Sequence, residues 1–210
     1  MARRSDRSDG KRRLDVEPRR FLGDVARAVI RDDLPLEHAW REHSRRHGMR
    51  DYRLGSHTDA LRHALEVEVE LFGGDAYQQR LRATQQTCAA VSELFTDQQL
   101  YVLGLPAIGL AAAGAQLNLV IFEDEPEAIV RLLMDRGLPY QATQQRWQHR
   151  DGGAEWIAPA FVIGTPGLDA QINVLPRRAE RLPLLADGQT VWITKVDTVA
   201  GLAADARSPG

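Results

Sequence analysis

Apolar positions along this chain fall into two regimes. Up to about residue 95 they recur at helical spacing, and beyond it they alternate or cluster in strand-length blocks. Phe21, Leu22, Val25, Val29 and Ile30 make a helical stripe over residues 17–31, which Asp32, Asp33 and Pro35 break. Pro35 suits the first turn of a second helix, LEHAWREHSRRH, and Gly48 stops it. Ser56 and Asp59 have the capping-box spacing and open a third helix that ends at Gly73 and Gly74, with Leu61, Ala64, Leu65 and Phe72 turned inward. Asp75 then caps a fourth, AYQQRLRATQQTCAAVSELF, whose buried face is Tyr77, Leu81, Thr84, Cys88, Val91 and Phe95. The third and fourth are expected to form a helical hairpin.

The second regime reads as strands. Leu100–Leu103 and Gln116–Phe122 are two, separated by Gly104 and a run of small residues. Pro126 opens a helix, EAIVRLLMDR, that Gly137 ends. Strands follow over residues 140–147, 156–164 and 168–175, joined by a loop around Asp151, Gly152 and Gly153 and by the tight turn Thr165-Pro166-Gly167. A last strand over 190–194 precedes the helical pattern VDTVAGLAADA. The predicted class is α+β: N-terminal helices, then a small mixed, largely antiparallel sheet with helices on one face. Three regions are expected: a disordered basic tail over 1–20, a helical region over 21–95 and an α+β domain over 96–206.

Composition changes this picture little. The chain has 210 residues, is 27% charged and carries a net charge of -2, so it is not basic over its whole surface. Positive charge is concentrated near the start. Residues 1–20 hold eight Lys or Arg against four Asp or Glu and almost nothing apolar, which is why disorder is expected there. Arg41, Arg45, Arg46, Arg50 and Arg53 form a second basic region, and Arg41, Arg45 and Arg46 are candidate phosphate contacts to nucleic acid. A lone cysteine, Cys88, excludes an internal disulfide and reads as a small buried hydrophobe. No apolar run reaches the length of a membrane span and no signal-like apolar core follows the first arginines, so a cytoplasmic protein with no membrane partner is expected.

Candidate chemistry is sparse. His43 and His47 are four apart and share a helix face, but local spacing fixes no third ligand beside them, and no metal site is assigned. The acidic cluster Glu123, Asp124, Glu125 and Glu127 lies where a strand gives way to a helix, where negative charge complements the helix dipole. There is no phosphate-binding Gly-Lys-Ser/Thr loop and no dinucleotide glycine fingerprint.

The order of elements nevertheless resembles a family. Helix, strand ending in glycine, small-residue turn, strand, acidic edge, helix and antiparallel strands are similar to the core of the polymerase-beta-type nucleotidyltransferase superfamily. Residues 54–202 more closely resemble an uncharacterised group of proteobacterial nucleotidyltransferase-like proteins. The resemblance is carried by AYQQRLRATQQ, LYVLGLPAIGLAAAG, LNLVIFEDEPEAIVRLL, GLPY and INVLP. It implies a Gly-Ser pair that holds the triphosphate, two strand carboxylates at i and i+2, and a third from a later strand, together binding two Mg2+ ions.

This chain departs from that pattern. Gly104 matches the glycine, Leu105 stands in the serine position, and Gln116 and Asn118 take the places of the carboxylate pair. In the late strand Asp169, Gln171 and Asn173 share one face, so Asp169 is the one carboxylate that matches. Magnesium requires hard, charged oxygen ligands that amides replace poorly. The resemblance therefore implies a catalytically degenerate nucleotidyltransferase-like protein that binds nucleotide or nucleic acid. Gly104, Gln116, Asn118, Gln171 and Asn173 are its candidate substrate-binding residues and Asp169 its candidate catalytic residue. An active enzyme, with Mg2+ held by Asp169 and the Glu123–Glu125 cluster, is the alternative, and a nucleic-acid-binding protein using the basic N-terminal region is another.

Overall fold

The computed structural model describes residues 8–49, 58–112, 114, 116–149, 155–180, 184–186, 189–190, 192–197 and 199. Two compact units divide at Gly74 and Asp75. The division falls before the fourth helix rather than at residue 95, because that helix builds the core of the second unit.

The first unit holds α1 (Ser8–Ile30), α2 (Leu36–Arg46) and α3 (Thr58–Phe72). Helix α1 corrects the expected tail: residues 8–20 are helical, while 1–7 lie outside the described residues, as does the cap position Ser56. Arginine and lysine are good helix formers, and once Phe21–Ile30 is buried each further residue adds a backbone hydrogen bond for little cost. Phe21, Val25 and Ala26 are fully buried, as are Ala39 of α2 and Leu61 and Leu65 of α3. Phe21 meets Trp40 edge to face at 4.8 Å between ring centres. Phe72, expected inside, is 48% exposed; the guanidinium of Arg31 stacks over its ring at 3.3 Å while also pairing with the buried carboxylate of Glu68.

In the second unit α4 (Asp75–Leu94) and α5 (Pro126–Asp135) accompany an eight-stranded sheet. Its strands are β1 (Leu100–Leu103), β2 (Gln116–Phe122), β3 (Tyr140–His149), β4 (Trp156–Ile163), β5 (Asp169–Leu175), β6 (Leu184–Ala186), β7 (Gln189–Thr190) and β8 (Ile193–Lys195). Their order is β7-β6-β3-β4-β5-β2-β1-β8. Among the described residues only β2 and β5 run parallel; every other neighbouring pair is antiparallel. Both helices cover one face. Cys88, Val91, Ile129 and Leu133 pack on Leu117, Leu119, Ile121, Ala170, Ile172 and Val174, the inward set of the two central strands. A second cluster, around Trp147, Val120 and Leu175, fills part of the opposite face. No helix among the described residues is long and apolar enough to cross a membrane.

Polar residues of α4 hold the sheet's connections in place. The Thr87 hydroxyl accepts the N–H of Leu168 at 2.9 Å and lies 3.0 Å from that of Thr165. Gly167 is forced by this contact, since a Cβ there would meet the Ala83 carbonyl at 2.5 Å and the Thr87 hydroxyl at 2.7 Å. The Tyr77 and Thr84 hydroxyls accept the amides of Ala111 and Ala112, at 3.1 and 3.0 Å. Three polar atoms on an otherwise apolar helix face thus satisfy backbone groups that burial would leave unpaired.

Candidate functional site

The glycine that ends β1 comes first. Gly104 has φ 74° and ψ -144°, a region open only to glycine, and leads into a 3-10 turn over Leu105–Ile108. Its N–H donates to the Trp192 carbonyl at 2.9 Å. That amide is therefore committed within the fold, where the resemblance would have it hold a phosphate. The small-residue run after it lies against α4 through Ala111 and Ala112, so this connection is fastened rather than left open as an anion loop.

Beyond the connection, β2 and β5 decide the arrangement. Their parallel register sets Gln116 beside Asp169, Asn118 beside Gln171 and Val120 beside Asn173. Residues paired this way point to one face, so the amides expected to share a sheet face do so. They are not equivalent. Asn173 is fully buried and donates to the Leu119 carbonyl at 2.9 Å, while its carbonyl oxygen accepts from Gln171 at 3.2 Å. It is a structural residue and takes no part in lining the cleft described next.

Gln116, Asn118 and Gln171 line a cleft of about 730 Å³. Strand β3 adds Gln144, Gln145, Arg146 and Gln148, and β4 adds Ile157, with Glu155 just before it. Gln171 donates to Gln145 at 2.8 Å, which ties β5 to β3 across the cleft. Gln116 and Asn118 make no side-chain hydrogen bond among the described residues, so each presents its donors and acceptor to the cleft. The β3 amides and Arg146 escaped the sequence reading, although Tyr140–His149 carries a run of glutamines that a strand would present laterally. Glu155 is the cleft's carboxylate, and it is engaged by Gln148 at 2.9 Å and Arg146 at 3.8 Å.

Asp169 is exposed at the first residue of β5, opposite Gln116. The register separates it from the acidic cluster. Phe122 pairs with Leu175, so Glu123 lies seven residues along the strand from the level of Asp169. At roughly 3.3 Å per residue that is about 23 Å, which corrects the expectation of a shared Mg2+ site. The cluster is also otherwise occupied. Glu123 accepts from the Arg177 guanidinium at 2.9 Å and Asp124 from the Arg177 amide at 3.0 Å. The Arg177 hydrogen bond, with help from the Asp124 amide, holds the Glu123 carboxyl below its ordinary range. Glu125 sits at the N-cap of α5 without a side-chain capping bond, so these acids brace the turn Arg177–Ala179 more than they cap the helix.

The first unit carries the remaining candidates. Arg41, Arg45 and Arg46 are exposed on α2 and border a shallow hollow with His38 and Glu42; Arg46 pairs with Glu42 at 2.7 Å. Arg50 and Arg53 lie outside the described residues. Beside His43 and His47 stands a carboxylate from α1, Asp24, which no local spacing in the sequence supplies.

Comparisons of the chain with family models, with curated proteins and with solved structures give no match.

Proposed function

We propose that this chain is a nucleotidyltransferase-like module that has lost metal-dependent transfer and binds a nucleotide, by base or sugar, in the amide-lined cleft. The observation that carries the reading is the level pairing of Asn118 with Gln171 next to Gln116 and Asp169. Two-metal phosphoryl transfer requires a group of carboxylates around both ions. One carboxylate stands at this level, beside amides whose donors and acceptors complement the edge of a base or the hydroxyls of a sugar. Arg146 in the same cleft supplies a positive charge for a phosphate.

Isothermal titration of the full chain with nucleoside triphosphates, with and without Mg2+, tests this. The expected result is saturable binding that Mg2+ does not strengthen, weakened about tenfold by Asn118→Ala, the worth of one ligand hydrogen bond. Absence of heat with every nucleotide would remove the ligand from the proposal.

A second reading takes α2 as a phosphate-binding surface for nucleic acid. It is supported by Arg41 and Arg45, which are exposed and make no ion pair among the described residues.

A further inference from the structure

Two histidines one helical turn apart are a common half of a metal site, since both rings project from one face. Here the other half comes from the neighbouring helix. The Nε2 of His47 lies 2.9 Å from Oδ2 of Asp24, and one ligand atom from each of Asp24, His43 and His47 lies within 4.8 Å of the others. His43 and His47 have ring centres 6.3 Å apart. The Phe21 and His47 rings meet at a steep angle with their centres 5.9 Å apart, which packs the imidazole against α1.

A hydrogen bond alone accounts for Asp24 and His47. It does not account for His43, which is 92% buried and whose Nδ1 is without a hydrogen-bond partner. A buried polar atom left unpaired is costly and uncommon. An imidazole held neutral with an unused nitrogen is the form in which histidine ligates a metal.

We propose that Asp24, His43 and His47 bind one divalent transition-metal ion of the zinc class. Zinc takes imidazole nitrogen and carboxylate oxygen at about 2.0–2.2 Å, so tetrahedral donors stand roughly 3.4 Å apart. Reaching that spacing requires the 2.9 Å contact to open slightly and separations of up to 4.8 Å to close. Binding replaces the hydrogen bond between His47 and Asp24: His47 ligates through Nε2 as the neutral imidazole with its proton on Nδ1, and Asp24 ligates as the carboxylate. Two nitrogens and a single carboxylate disfavour Mg2+ and Ca2+, which select oxygen ligands.

Three protein ligands leave a position open. Asp24 and His43 line a cleft of about 320 Å³, shared with Arg27, Asp32, Glu42 and Arg46, where a water or an anionic ligand reaches that position. The neighbouring charges nearly cancel. Arg27 pairs with Asp24 at 2.9 Å and Arg46 with Glu42 at 2.7 Å, so the ion meets two cations already neutralised in part. Arg27 also holds Oδ1 of Asp24, leaving Oδ2 for the ion. This site belongs to the first unit and is independent of the amide-lined cleft.

Titration of the full chain, stripped with chelator, with Co2+ as a spectroscopic stand-in for zinc provides the test, followed by competition with Zn2+. The expected result is one equivalent of Co2+ per chain with the intense visible absorption of a four-coordinate centre, displaced by one equivalent of Zn2+. His43→Gln and Asp24→Asn weaken binding by about 100-fold or more, while His63→Gln, exposed on α3, leaves it unchanged. Circular dichroism verifies that each variant folds, and if His43→Gln does not, His47→Gln takes its place. Wild-type protein without stoichiometric Co2+ binding, or variants that bind as tightly as wild type, would overturn the assignment.

Discussion

The side-chain amide of Asn173 donates to the Leu119 carbonyl at 2.9 Å, a bond made fully inside the protein across the parallel pair β2 and β5. It separates Asn173 from Gln116, Asn118 and Gln171, which share its sheet face but meet the cleft.

Asn173→Ala should therefore destabilise the fold by about 1–3 kcal/mol, because Leu119 and Gln171 both lose a buried partner. Urea denaturation reads this directly. Any nucleotide affinity should change much less than in Asn118→Ala, and an Asn173→Ala protein as stable as wild type would show that the bond contributes nothing.

Gly167→Ala is expected to cost a similar amount, about 1–3 kcal/mol, by overpacking. The added methyl meets backbone, the Ala83 carbonyl, which cannot rotate aside as a side chain would. A lowered thermal midpoint for this variant, compared with Gly164→Ala, where a Cβ meets nothing, isolates the clash from the general effect of losing a glycine.

Burial pushes the Cys88 thiol up to about 12 from an ordinary 9.0. The native protein should react slowly with a thiol reagent at about pH 8 and fully once unfolded, because the thiolate is the reacting species. The sign of the pH effect follows from the same shift. The folded state keeps the proton while the unfolded chain releases it near 9.0, so this contribution is complete below pH 9.0 and is lost as pH rises toward 12. Denaturant midpoints above pH 9 should fall more steeply in wild type than in Cys88→Ala.

If α2 contacts nucleic acid, binding should weaken with salt, and Arg41→Ala combined with Arg45→Ala should reduce the slope of log affinity against log salt by about two. Fluorescence anisotropy with a labelled oligonucleotide measures it. An unchanged slope would assign any binding to another surface.

Much of the architecture was legible in the chain because its signals are local. The alternation of Leu117, Leu119 and Ile121 with Gln116 and Asn118 marks β2 with its observed bounds, and Pro126 and Gly137 bracket α5. Most of the buried face of α4 was equally plain, though Leu81 is only partly buried and Thr87 is fully so, and the work of its polar members was not plain. Tyr77 and Thr84 count as core positions by spacing, Thr87 does not, and only their partners at Ala111, Ala112 and Leu168 reveal why hydroxyls stand there. Phe72 misled for the opposite reason: its spacing is that of a core residue, yet Arg31 covers it at the surface. The basic start of α1 carries no helical stripe of its own, and composition does not report the buried turns that extend it.

The sequence by itself determined the order of elements as far as β5, the inward face of the central strands and the absence of a carboxylate pair at Gln116 and Asn118; it missed β6 and read β7 and β8 as one strand. Those follow from side-chain period, capping and residue type, which act over a few residues. Tertiary structure alone decided which residues meet. The parallel register of β2 and β5 set Asp169 beside Gln116 and far from Glu123, and the packing of α1 on α2 brought Asp24 to His43 and His47. Strand pairing and helix docking join positions tens of residues apart, and no local pattern encodes which partner each will find.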